Sequence, residues 1–126
     1  MSARLLLDTH VWFWVLTDSP ALPRAMHERI EASASRAISA ASLYEVRLKH
    51  RLGKLPLPGA LVDGLVPVTR SSGIEVLPMT GEIAERAAGY PWAHRDPFDR
   101  IIAATSEMHA LELLTQDAAL HALGYG

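Results

Sequence analysis

Five acidic side chains of this 126-residue sequence sit where an acid can do chemistry: Asp8, Glu45, Asp96, Asp99 and Asp117. Asp8 directly follows the apolar run Leu5-Leu6-Leu7, and Asp117 closes the stretch Leu113-Leu114-Thr115-Gln116-Asp117. An acid just past a buried strand stands at that strand's carboxyl end, the edge at which open α/β sheets bind ligands. Asp96 stands at a helix start, and Asp99 lies three residues on, on a similar helix face. Glu45 falls about one turn into the helix after a second strand and can lean over the same edge. Carboxylates that converge without partners repel and raise one another's pKa. A bound cation is the usual relief, and an all-oxygen donor set suits Mg²⁺ or Mn²⁺ rather than zinc. Such an ion polarises a phosphodiester and activates water. Each acid also has a plainer reading. Asp96 could be only a helix cap, Asp99 its partner or the partner of Arg95 or Arg100, Asp117 a turn residue, and Glu45 an exposed helix charge.

The elements that must position these acids follow from local signals. Arg4–Leu7, Arg36–Ser39, Gly73–Leu77 and Leu111–Thr115 read as short apolar strands. Helical patterns cover His10–Leu16, Pro23 to about Ala34, and a segment capped by Ser39 or Ser42 that runs to Leu52, with Gly53 as its stop. A helix is also predicted over Ala60–Ser71, interrupted in pattern by Gly64 and Pro67. Thr80 opens another through Gly89, and Asp96-Pro97 is a strong start signal for a helix to about His109. Ala118–Leu123 is the last. Strands alternating with helices predict one α/β domain with a mostly parallel sheet and helices on both faces.

Composition narrows the chemistry. The sequence has no cysteine, which excludes disulfides, thiolate metal sites and a cysteine nucleophile. A hydrophobic share of 49% with 21% charged residues excludes a disordered chain. The longest apolar stretch near the N-terminus, Val11–Leu16, is too short to span a bilayer, and no segment reads as targeting. The expectation is a soluble, cytoplasmic protein with no membrane partner. The net charge is −2, from 12 basic and 14 acidic residues. Setting the five acids aside leaves 12 basic residues against nine acids, so the remaining surface is slightly basic.

The same residues carry a family resemblance. Leu-Leu-Leu-Asp-Thr-His-Val-Trp (5–12), Ser-Ala-Ala-Ser-Leu-Tyr-Glu-Val (39–46), His-Arg-Asp-Pro-Phe-Asp-Arg (94–100) and Leu-Leu-Thr-Gln-Asp (113–117) resemble, in order, the motifs of PIN-domain proteins. With Lys49, Arg51, Leu52, Gly53, Lys54 and Leu55, the pattern is similar to the VapC toxins of bacterial type II toxin–antitoxin systems. The resemblance runs from residue 4 to about residue 120. It implies a three-layer α/β/α fold with a four- or five-stranded parallel sheet, the fifth strand being in question because the chain stops soon after the last helix. It implies an endoribonuclease dependent on Mg²⁺ or Mn²⁺, a cognate antitoxin and a homodimer. Carried over, Asp8, Glu45, Asp96 and Asp117 match the acidic quartet, and Asp99 matches the second Asp of the Asp-Pro-Phe-Asp motif. Asp8, Asp96 and Asp117 are the expected metal ligands, with either Asp of the Asp-Pro-Phe-Asp pair open as the one closer to metal, and Thr9 and Thr115 are the hydroxyls that orient carboxylates.

RNA would need positive charge beside the acids. Arg47, Lys49 and Arg51 on the Glu45 helix, with Arg95 and Arg100 beside the Asp-Pro-Phe-Asp motif, are the candidate phosphate contacts, against the alternative of a solvated helix face. Trp12, Phe13 and Trp14 are consecutive and cannot all face one core, so at least one should be exposed or at an interface. Two other functions compete. A haloacid-dehalogenase-type phosphatase needs a second Asp two residues after the first, but position 10 is His. A catalytically silent PIN scaffold that binds RNA or protein would not need every acid of the motif.

Overall fold

The computed structural model describes residues 2–126. Strands and helices alternate: β1 (Arg4–Leu7), α1 (Thr9–Leu16), α2 (Arg24–Ala32), β2 (Ser35–Ser39), α3 (Ala40–Arg51), α4 (Gly59–Val62), α5 (Leu65–Ser71), β3 (Glu75–Leu77), α6 (Gly81–Gly89), α7 (Pro97–Met108), β4 (Glu112–Leu114) and α8 (Ala118–Ala122). Among the described residues the sheet has four strands, all parallel, in the order β3-β2-β1-β4. The chain steps outward from β1 through β2 to β3, then returns to the other side of β1 for β4. The strand order reverses at β1, so the crevice outside its carboxyl end is where a ligand site is expected.

Side-chain alternation along each strand builds two cores, one on each face of the sheet. Leu5, Leu7, Ile38 and Leu114 point to one face, where they pack with Val11 and Trp12 of α1, Met26 and Ile30 of α2, Val46 of α3 and Leu65 of α5. Leu6, Ala37 and Leu113 point to the other, against Ile102 of α7 and Leu120 of α8. Outside α7, Ile83 and Ala87 of α6 pack on Ala104. β1 is buried on both faces, which is why it reads as an unbroken apolar run.

Most elements lie where local signals put them, with shifts of one or two residues. Ser39 is the cap of α3, accepting from Ala41 N at 3.1 Å. Gly53 follows α3 at φ +73°, a left-handed conformation that favours glycine. The helix expected over Ala60–Ser71 is instead two short helices, α4 and α5, because Gly64 is extended between them. Pro67 is the third residue of α5, where a missing N–H breaks no helical bond. Pro23 caps α2 rather than lying in its first turn. No helix among the described residues is long and apolar enough to cross a membrane.

Of the three consecutive aromatics, Trp12 is fully buried while Phe13 and Trp14 are half-buried. The Trp12 Nε1–H donates to Thr69 Oγ1 at 3.1 Å, and the Thr69 hydroxyl donates to the Leu65 carbonyl at 2.7 Å. This chain ties α1, which starts at the site, to α5. Thr69→Val leaves the indole N–H buried without an acceptor and is expected to cost roughly 1–3 kcal/mol in urea unfolding. Thr69→Ser should recover most of that loss. Equal stability of Thr69→Val and wild type would show that the bond contributes nothing.

Candidate active site at the carboxyl edge of the sheet

The site is built where β1 and β4 end together. Leu7 pairs with Leu114, and the ladder continues one bond further, from Asp8 N to Leu114 O at 3.0 Å. That bond fixes the Asp8 backbone beside β4. The carboxylate of Asp8 caps α1 through Oδ1, which accepts from Thr9 N at 2.8 Å. Its Oδ2 accepts from Thr115 Oγ1 at 2.7 Å. Thr115 Oγ1 also accepts from Asp117 N at 2.9 Å, so one hydroxyl joins both acid-bearing loops. Asp117 caps α8, accepting from Leu120 N at 3.0 Å. The Thr115 hydroxyl thus holds the Asp8 carboxylate. The Thr9 amide also serves Asp8, while its hydroxyl pairs with Ser42 at 2.8 Å and ties α1 to α3.

The two acids of the Asp-Pro-Phe-Asp motif, alternatives for the metal in the sequence, are placed differently. Asp96, expected to be a metal ligand, is turned back onto its own helix, where Oδ1 accepts from Phe98 N at 2.9 Å as the cap of α7. Asp99 is the buried one, and it faces the site. Its Oδ2 lies 2.7 Å from His94 Nε2. One donor atom each from His94, Asp99 and Asp117 fall within 4.8 Å of one another. Glu45 is only 6% exposed, not a solvated helix charge, and its Oε2 accepts from Lys49 Nζ at 2.7 Å. His94 has no counterpart among the acids singled out from the sequence. The available signal is its place five residues before Asp99, in a loop that folds back over the first turn of α7.

The expected substrate-facing cations also separate. Lys49 is held by Glu45. Arg100 is engaged by backbone: it donates to the carbonyls of Ala87 and His94 at 2.9 Å, to Ala88 at 3.2 Å, and to Tyr90. This corrects its reading as a phosphate contact. Trp92 lies against the same group, 5.5 Å from the guanidinium and stacked on Tyr90 at 4.1 Å. Among the described residues, Arg47, Arg51 and Arg95 make no ion pair.

The PIN domain family model matches residues 5–124, nearly the whole chain. The chain belongs to the PIN-domain family. Among characterised relatives it is similar to ribonuclease VapC22 of Mycobacterium tuberculosis, 27% identical over 117 residues, covering 92% of this chain and 88% of that protein. Its fold is similar to that of VapC20 of M. tuberculosis, a toxin that cleaves the sarcin-ricin loop, with a TM-score of 0.69 at 17% identity over 98% of this chain and 97% of the other. FitAcB from Neisseria gonorrhoeae gives a TM-score of 0.64 at 23% identity, covering 90% of this chain and 88% of that one.

The electrostatics of this PIN domain follow from its burial. Asp8 is pushed above the ordinary carboxylate range by burial, helped by the charge of Glu45, against the bonds from Thr115 and Thr9 and the nearby His10. Asp99 is pushed up to about 6, first by burial and then by the charges of Asp96, Asp8 and Asp117, with the His94 bond opposing. His94 is raised by its bond to Asp99 and by the charges of Asp99, Asp117 and Asp96, with desolvation opposing. A carboxyl at about 6 in the fold, against an ordinary value of 3.8, holds a proton that the unfolded chain releases. Its contribution to stability is complete below about pH 4 and is lost as the pH rises through about 6. Asp99→Asn removes the penalty that remains at neutral pH. In urea unfolding with a chelator present, the variant should be more stable than wild type at about pH 7 by roughly 1–3 kcal/mol, and the difference should vanish near pH 4. A variant less stable than wild type at neutral pH would mean that the lost His94 bond outweighs the repulsion.

Proposed function

We propose that this PIN domain is a metal-dependent endoribonuclease and the toxin of a toxin–antitoxin pair. The observation that carries the reading is the convergence of Asp8, Glu45, Asp99 and Asp117 at one sheet edge, buried or half-buried, in a chain similar to a ribonuclease along nine-tenths of its length. The donor set fits a divalent cation. Oxygen donors dominate, and two of the carboxyls are raised first by burial and then by neighbouring carboxylates, Asp8 by Glu45 and Asp99 by Asp96, Asp8 and Asp117. The nearest lysine is committed to Glu45. Asp8, Asp99 and Asp117 would hold the ion.

When bound, Mg²⁺ or Mn²⁺ supplies Lewis-acid stabilisation of charge on a phosphoryl oxygen and a lower pKa for a bound water. The protein supplies the positions. Thr115 fixes Asp8 against Asp117, and Asp96 sets the first turn of α7 and thereby the direction of Asp99. Glu45 has Oε2 engaged by Lys49, which leaves Oε1 to accept a hydrogen bond from the attacking water. Arg47, Arg51 and Arg95 are the cations available to RNA phosphates. Protein partners, an antitoxin and a second copy, are supported by an apolar recess of about 340 Å³ between α3 and α7. Its rim carries the exposed side chains of Tyr44 and Met79.

The test is cleavage of RNA by the purified chain free of any antitoxin. Activity should require Mg²⁺ or Mn²⁺, be lost in chelator and return on adding the ion. Asp8→Asn should lower the rate by roughly two orders of magnitude or more, with an unchanged circular dichroism spectrum and metal-free stability at least equal to wild type. Wild type that cleaves nothing with either ion would sink the nuclease reading and leave the silent scaffold. Unfolding of Asp8→Asn would make Asp8 structural.

A further inference from the structure

We propose that the His94 imidazole is itself a ligand of the cation, so that this site favours first-row transition ions such as Mn²⁺ over Mg²⁺. The inference rests on the metal-dependent reading above and goes beyond it. The oxygen-only donor set expected from the sequence contains no nitrogen, but the structure places one among the carboxylates. His94 Nε2 is 2.7 Å from Asp99 Oδ2, and a donor atom of Asp117 completes the group within 4.8 Å. Ligands about 2.1 Å from one octahedral ion stand roughly 3 to 4.2 Å apart. The three groups therefore need only small side-chain rotations to close on a single ion.

A histidine beside an aspartate is often no more than a hydrogen-bonded pair. Here the loop that carries the imidazole is held in place from the helix that carries the aspartate. Arg100, adjacent to Asp99 in the first turn of α7, donates from Nη1 to the carbonyl of His94 itself. Its other nitrogens bind the carbonyls of Ala87, Ala88 and Tyr90. The stacked Tyr90 and Trp92 rings fill the space beside it. Asp99 faces the site while its neighbour fixes the backbone that delivers His94. A donor held by packed, hydrogen-bonded backbone is pre-organised in the way a metal ligand must be.

The consequence is a choice of metal. Mg²⁺ demands oxygen ligands and keeps its water, whereas imidazole is an ordinary ligand of first-row transition ions. The probe is Mn²⁺ added to the metal-free, full-length protein and read by pulsed electron paramagnetic resonance, with affinities for Mn²⁺ and Mg²⁺ measured by titration calorimetry. Wild type should show nitrogen coupling to bound Mn²⁺. The coupling should vanish in His94→Ala and His94→Gln and survive in His10→Ala, the other histidine near Asp8. His94→Ala should weaken Mn²⁺ binding at least tenfold and Mg²⁺ binding by less than about threefold.

Bound Mn²⁺ without nitrogen coupling overturns the inference while leaving the metal site intact. So does an equal loss of both ions in His94→Ala, because His94 would then only orient Asp99. Coupling lost in His10→Ala instead would assign the nitrogen elsewhere. Wild type that binds neither ion overturns the metal-dependent reading itself. The wild-type spectrum needs no variant, and His94→Gln stands in if the alanine variant does not fold.

Discussion

Mutual repulsion among buried carboxylates is the constraint around which this molecule is arranged. Asp8, Glu45 and Asp99 are almost withdrawn from water, and Asp117 is half-buried beside them. The fold holds them together despite that cost. The sheet order places the ends of β1 and β4 side by side, and the bond from Asp8 N to Leu114 O carries the strand register into the site. The two cores on either face of the sheet supply the apolar burial against which the repulsion is set.

Helix starts relieve part of the strain. Asp8, Asp96 and Asp117 are the caps of α1, α7 and α8, and each gives one oxygen to a backbone N–H. Such bonds satisfy amides that no helical carbonyl can reach. Capping and site chemistry are therefore not rival explanations for Asp8 and Asp117. One oxygen caps, and further acceptor capacity remains for a ligand. Asp96 caps in the same way through Oδ1, and its charge reaches Asp99 and His94.

The sheet and most helices were legible in the sequence because their signals are local: apolar runs at β1 and β4, Ser39 and Thr80 as caps, Asp96-Pro97 as a start and Gly53 as a stop. The position of Asp8 at a strand end was legible for the same reason. The choice between Asp96 and Asp99 was not. A three-residue spacing places them on similar faces, but in the fold Asp99 is the one that is buried and bonded to His94, while Asp96 gives an oxygen to Phe98 N. Glu45 reads from its helix position as an exposed charge, and its burial beside Asp8 is a property of the assembled fold. The bonds that hold Arg100 and His94 were not legible. They depend on the carbonyls of Ala87 and Ala88 at the end of α6 and of Tyr90 and His94 after it, and backbone acceptors leave no mark on residue type.

The central claim is that the converging acids form a cation site. Crystals grown with Mn²⁺ and measured near the manganese absorption edge test it most directly. The structure predicts a strong anomalous peak in contact with carboxylate oxygens of Asp8, Asp99 and Asp117. No peak there at saturating Mn²⁺, or a peak only on another surface, would contradict it.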